Sequence, residues 1–548
     1  MTRVHRLIPL FAMTLSLLAG TAWAYHDGPH QHGGVDPGQG LDPGLGSLHH
    51  AVSTREPQAQ AYFDQGLRLV YAFNHEGAVA AFTRASQLDP NLAMAHWGIA
   101  YALGPNYNLP MAPEAHARAF EEVRKAQALR DKASPAERDY IEALSKRYSS
   151  DPKADTGALN LAYEDAMAQL SRKYPKDVDA AVLYAESLMD LRPWKLWRPD
   201  GTPEEGTTQI VAVLERALRL DPNHLGANHY YIHAMEMSPD PGKALASARR
   251  LEVLAPSAGH LMHMPAHIYI RTGDYISAAR VNEAAALADE KLRAAGVQSM
   301  YTLGYYGHNL HFLAVSYGMA GQSRQSADAA RKLASLVAPQ LREIPFLDTF
   351  YATPAQVLVL SERWGEILAL EEPPSEARIS LTMHHFARAL ALAATGHPEE
   401  AQAERSRFAE VAATAPQDAG WGNNSALDVL AVAGPYLDGR LAWMAHDLPA
   451  AVRSLRIAAA AEDKLAYDEP SNWYLGSHWM LGRALLDSGD AKGAEAAFRE
   501  DLKRNILSGR SLFGLRSALV AQGRAREAAA VGKQFELAWR SADIPADH

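Results

Sequence analysis

Apolar residues recur every three to four positions along most of this chain, and the alternation expected of strands is almost absent. The pattern starts near Glu56 and predicts helices as far as Trp539. The segment Ala61 to Asn91 is typical. Gly66, Leu69, Ala78, Phe82, Ala85 and Pro90 fall where two antiparallel helices need small, large and terminating residues. Gly66 and Ala78 permit close approach, Phe82 fills the seam, and Pro90 ends the second helix. The arrangement returns at Ala266, Tyr269, Gly273, Ala278 and Ala285, and at Gly482, Leu485, Gly489, Ala494 and Phe498. Weaker copies lie between, several closing on Leu-Asp-Pro, as at Leu88–Pro90 and Leu220–Pro222. Roughly ten helical hairpins are expected.

These positions resemble those of the tetratricopeptide repeat (TPR), and the resemblance covers nearly the whole chain after residue 55. It implies an all-α, TPR-like α-solenoid superhelix with a concave groove. Two stretches depart from the period: Trp194 to Thr208, rich in Pro and Gly with two Trp, and Leu370 to Ser375. The second divides an N-terminal array, 56–370, from a C-terminal array, 371–548.

The first 55 residues are of another kind. Met1 to Ala24 has a basic start (Arg3, Arg6), a short apolar run and an Ala22-Trp23-Ala24 end, the layout of a secretory signal peptide. Export to the periplasm or medium is expected, with no membrane span after cleavage. Residues 25–55 are rich in Gly, Pro, Asp and His and read as a flexible arm, first of all a polar leader that keeps the new N-terminus soluble; metal capture by His26, His30 and His32 is the alternative.

Composition narrows the function. The 548 residues hold 53 Lys+Arg against 63 Asp+Glu, a net charge of -10, so nothing favours a phosphate backbone and no nucleic-acid partner is expected. Cysteine is absent, which excludes disulfides, thiolate metal sites and Cys nucleophiles. No G-x-S-x-G, phosphate-binding loop, dinucleotide fingerprint or H-E-x-x-H occurs.

Histidine is the signal that remains. His229, His233 and Glu236 share one helix face, as do His260, His263 and His267; His308 and His311 are three apart. His229 to His263 and His233 to His267 are each 34 residues, one repeat period. In the TPR family the corresponding places line the concave groove. The resemblance therefore puts His229, His233, His263, His267 and His311 there, with His260, Glu236 and His308 continuing the stripe. Glu186 and Asp190, one repeat earlier, are further ligands or supports. Neighbouring first helices lie about 9–10 Å apart, so four imidazoles can reach one ion, and seven with Glu236 can serve two. Donors of nitrogen and oxygen without sulfur suit Zn, Cu, Fe or Mn equally. Trp97, Tyr101 and the loop Gly104 to Asn108 are placed to close one end of the groove, and Trp194 and Trp197 to lie over its mouth. His75, His96, His116, His384, His385 and His478 fall off the stripe and read as structural.

Three functions compete: an exported metal-binding TPR protein, a metal-free scaffold holding a protein or peptide in its groove, and a metal-dependent hydrolase or oxygenase. The strings HYYIHAME, HMPAHIY and GHNLHF resemble a subgroup of exported bacterial TPR proteins, and that resemblance adds no reaction.

Overall fold

The computed structural model describes residues 40–297 and 299–546. The leader and His26, His30 and His32 lie outside these residues. The described chain is helical almost throughout; its one sheet is a two-residue ladder, Gly420–Trp421 against Asn424–Ser425. Twelve consecutive hairpins can be traced, from Pro57–Tyr71 with His75–Leu88 to Gly509–Ala521 with Ala525–Ala538. The count exceeds the expectation because short helices such as Thr353–Leu360 and Trp364–Leu368 pair without carrying the full repeat pattern.

The seam residues behave as their spacing predicts. A Cβ added at Gly66 or at Gly98 would come within 2.6 Å of the Phe82 ring, so this ring fills the space between three helices. Phe498 stands in the same way between Gly482 and Gly514. The second helices start on side-chain caps: Asn74 accepts from the Gly77 amide, Asp274 from Ser277, Asp447 from Ala450 and Asp490 from Gly493.

Two expectations need correction. Residues 40–55 are not a loose arm. Leu45 and Val52 are buried, the Asp42 amide donates to Gln65 at 2.8 Å, and the Ser53 amide donates to Glu137 at 2.6 Å. His49 and His50 reach Asp64 and Asp179, each at 2.7 Å. Polar and Gly-rich residues here form a strap whose order comes from carboxylates far along the chain.

The break at Leu370–Ser375 likewise joins rather than separates. One apolar core runs from Leu45 to Ala528. The C-terminal hairpins double back on the middle ones. Arg510 donates to the carbonyls of Gly318 and Leu360 at 3.1 and 2.9 Å, and the Tyr275 hydroxyl donates to the Ile506 carbonyl at 2.9 Å. The Tyr474 hydroxyl donates to Gln356 at 3.1 Å. Among the described residues no helix is long and apolar enough to cross a membrane.

Candidate metal centre

The first helices of three consecutive hairpins supply the histidines. Leu225–Glu236 carries His229, His233 and Glu236; Gly259–His263 and Pro265–Arg271 carry His260, His263 and His267; Met300–Met319 carries His308 and His311. Pro265 lacks the amide that would continue the helix, so the middle element breaks at Met264. His267 then donates its amide to the Met264 carbonyl at 3.2 Å.

The imidazoles gather into two triads. In His229, His233 and His260, and in His263, His267 and His308, the ligand-competent nitrogens all lie within 4.8 Å of one another. His260 Nε2 is 3.2 Å from His229 Nε2. His263 Nε2 is 2.7 Å from His267 Nε2 and 3.2 Å from His308 Nε2. The triads adjoin: ring centroids of His233 and His267 are 5.8 Å apart, those of His260 and His263 5.9 Å. Five of these rings are at most 1% exposed; His308, on the outer edge, is partly exposed.

The partners behind the rings fix where the protons are. His229 Nδ1 faces the Tyr71 carbonyl at 2.7 Å, and a carbonyl only accepts. His233 Nδ1 donates to Glu236 Oε1 at 2.7 Å and His267 Nδ1 to Glu236 Oε2 at 2.5 Å. His263 Nδ1 donates to Asn282 Oδ1 at 2.7 Å, and the Asn282 amide is held in that sense by its own bond to the Ala278 carbonyl. Four Nδ1 hydrogens are thus spent outward, and four Nε2 lone pairs point inward. His263 and His267 aim two such lone pairs at each other across 2.7 Å. Two bare lone pairs at that distance repel, so the arrangement calls for a cation or an extra proton between them. His233 Nε2 and His260 Nδ1, both buried, have no hydrogen-bond partner.

The electrostatics agree. Burial, reinforced by neighbouring imidazoles, holds His229, His260, His263 and His308 well below the usual histidine range, so they are neutral. Burial also lowers His233, against the pull of Glu236. His267 differs. Burial works against its charge, yet Glu236, with Glu469 and Asp468 beyond, raises it above the ordinary value. The Glu236 carboxyl would be raised by burial, but His267 and His233 bring it down to about 2. A neutral imidazole whose far nitrogen is anchored by a carboxylate or carbonyl is the state in which histidine binds metal.

Aromatic rings wall the centre. Phe73 lies 4.5 Å from His229, 5.9 Å from His233 and 5.3 Å from His260, centroid to centroid. Phe312 lies 4.9 and 5.1 Å from His263 and His267. Phe73 holds the left-handed turn position (φ 55°) that five later hairpins give to Gly273, Gly321, Gly396, Gly489 and Gly523, and two give to Glu362 (φ 51°) and His446 (φ 60°). A bulky residue there is strained by about 1 kcal/mol or more, and its ring is what the centre gains. Tyr107 and Trp194 pack on His233 at 4.9 and 5.6 Å, and Trp197 Nε1 donates to the Ala234 carbonyl at 2.8 Å. Tyr107 and Trp194 thus cover His233, whereas Trp97 and Tyr101, expected to close one end of the groove, stack on each other at 5.4 Å within the core.

Some expected members stand elsewhere. His311 packs on Phe350 and Tyr474 and belongs to neither triad. Glu186 and Asp190 belong to a separate buried cluster, where Asp190 pairs with Arg147. Both oxygens of Glu236 are taken by imidazole N–H groups, so it stands behind the two triads as an anchor. Other participants carried no signal in the pattern. Asn282 lies on a second helix, and Asp468 and Glu469 come from a C-terminal loop that reaches Arg271, with Glu469 4.0 Å from its guanidinium. A third grouping, His50, Asp177 and Asp179, is internally satisfied: Asp179 also accepts from Tyr71 and His224, and Asp177 from Tyr140. The off-stripe histidines have local partners, His96 with Glu122 and His385 with Glu404.

The fold and site define an all-α, TPR-like solenoid with a sealed histidine centre. No family model and no curated protein matches the chain. Among solved structures it is similar to a human IFIT1 dimer with PPP-AAAA (13% identity, 87% of this chain and 89% of that one, TM-score 0.31). It is also similar to yeast Tom70 (13%, 88% and 93%, 0.30) and to the APC/C Cut9–Hcn1 hetero-tetramer (13%, 88% and 76%, 0.33). Likeness at this level concerns the repeat fold alone.

Proposed function

We propose that this is an exported bacterial TPR-like protein that binds transition metal in the histidine centre. The observation that carries the reading is the convergence of four Nε2 lone pairs whose Nδ1 hydrogens are all committed to fixed acceptors. His96 and His385, off the stripe, each bond to a single carboxylate, Glu122 and Glu404; these four are anchored from behind with their Nε2 atoms gathered in front. In the metal-free protein a proton on His267 takes the place of the ion, and metal displaces it.

The TPR-like scaffold also suits protein partners, but Tyr107 and Trp194 cover His233, and Asp468 and Glu469 stand beyond His267. A partner would dock on other faces, and the histidines would serve the ion. Metal titration of the purified protein, followed by elemental analysis, tests the reading. Replacing His263 and His267 with Ala should abolish binding; replacing His384 and His385 should leave it intact.

A further inference from the structure

We infer that the two triads hold a pair of copper(I) ions and that this pair takes up dioxygen. The inference rests on the metal-binding reading and names the metal, the number of ions and the small molecule they meet.

The number follows from the geometry. Six imidazoles are too many for one ion of tetrahedral or trigonal habit, and they divide into two sets of three on adjacent helices. Three nitrogens at about 2.0 Å from one ion stand about 3.5 Å from each other. The observed separations of 2.7 and 3.2 Å therefore open by less than 1 Å on loading. Glu236 ties the triads together by taking one N–H from each, His233 from the first and His267 from the second. Centroid separations of 5.8 and 5.9 Å across the divide set the ions side by side.

The metal follows from charge. Imidazole binds metal as a neutral ligand, and both oxygens of the nearest carboxylate, Glu236, are taken by imidazole N–H groups. The nearest anion is Glu236, while Glu469 is offset by Arg271 at 4.0 Å. Two divalent ions would bring four positive charges into a buried space against Glu236 and, farther off, Asp468. Two copper(I) ions bring two. Burying unpaired charge is expensive, so the monovalent pair is the one this cage tolerates. Zinc in a three-histidine site would add hydroxide or another anion as its fourth ligand, and Phe73 and Phe312 fill the walls where such anions would need hydrogen bonds.

Dioxygen suits the pair because it is small, apolar and a two-electron acceptor. Each copper(I) gives one electron, and dioxygen takes both to become peroxide between two copper(II) ions. The O–O bond stays intact and no proton moves. The charge added by oxidation is matched by the two negative charges on the peroxide, so the net charge in the cage does not change. The partly exposed His308 marks the side from which the gas enters.

The test uses the full chain, loaded with copper(I) under nitrogen, desalted and assayed for metal. It is then mixed with air-saturated buffer while oxygen consumption and near-ultraviolet absorption are followed. The expected result is two coppers per chain, one dioxygen consumed per two coppers, and a new absorption band that disappears on reduction. H308Q, at the exposed edge, should hold one copper and take up no dioxygen, with its helical signal unchanged. If that variant does not fold, the stoichiometry of the unaltered protein still decides. One copper per chain, or retention of zinc in preference to copper, overturns the pair while leaving the metal-binding reading in place. Two coppers without oxygen uptake overturn the dioxygen assignment. Failure to retain any metal overturns both readings.

Discussion

The helix Leu225–Glu236 and the helix Ser477–Asp487 hold equivalent places in their hairpins, yet they are built to different ends. The first buries all twelve of its residues, among them Asn228, His229, His233 and Glu236. The second buries Trp479, Met480, Leu481, Gly482, Ala484 and Leu485, with Ser477 the one polar member. The second is what stacking of repeats requires: an apolar stripe and a small residue at the close approach. The first departs from that economy. Buried imidazoles are costly unless satisfied; here His229 is anchored by the Tyr71 carbonyl, from the first hairpin, and His233 by Glu236 of its own helix, whose other oxygen holds His267 of the next. The Phe73 turn repeats the contrast, since five other hairpins use glycine at the same bend. Two other hairpins carry Glu362 and His446 at that bend, but only Phe73 lays its ring on buried imidazoles.

Breaking each side of the comparison should give opposite signatures. The largest effect is expected from H263A/H267A, which should remove metal altogether while leaving far-ultraviolet circular dichroism nearly unchanged. Next comes F498A, in the seam between Gly482 and Gly514. It should cost about 3–5 kcal/mol of stability by denaturant titration and leave metal content untouched. E236Q keeps the shape but weakens the anchoring of His233 and His267. Metal affinity should fall about 10–100-fold, measured by competition with a chelator of known affinity.

The smallest expected effect concerns the strap, and it depends on pH. Burial opposes charge on His50, but Asp179 and its neighbours raise it to about 9. A folded value above the unfolded one contributes stability that is complete below about pH 6.5 and fades as pH rises through 9. Asp179 is shifted the other way by His224 and His50, so its contribution is lost as pH falls below the ordinary carboxylate range. Attachment of residues 42–56 should therefore be firmest between these limits, and amide exchange there should quicken on both sides. Protection that does not weaken above pH 9 or below the ordinary carboxylate range would contradict the assignment.

Much of this was legible in the chain. The repeat fold could be read because its determinants are local: Gly66, Phe82 and the 34-residue spacing lie on neighbouring helices. The histidines could be read for the same reason, since i, i+4 pairs one period apart must meet on adjacent helices. What could not be read is non-local. Glu236 looked like a ligand until the structure placed an imidazole N–H on each of its oxygens. His311 shares the register of His263, but Phe350 and Tyr474 occupy the space beside it. The strap seemed loose because its carboxylate partners, Asp64, Glu137 and Asp179, are remote in sequence, and nothing local foretold that the C-terminal hairpins would turn back over the groove.

The most direct test of the central claim is the metal content of the native protein, purified from metal-replete cells without chelator or metal-leaching tag. The account predicts transition metal in stoichiometric amount, lost in H263A/H267A and kept in H384A/H385A. A metal-free native protein, or equal metal in the H263A/H267A variant, would contradict it and leave the histidines as a polar packing of the concave face.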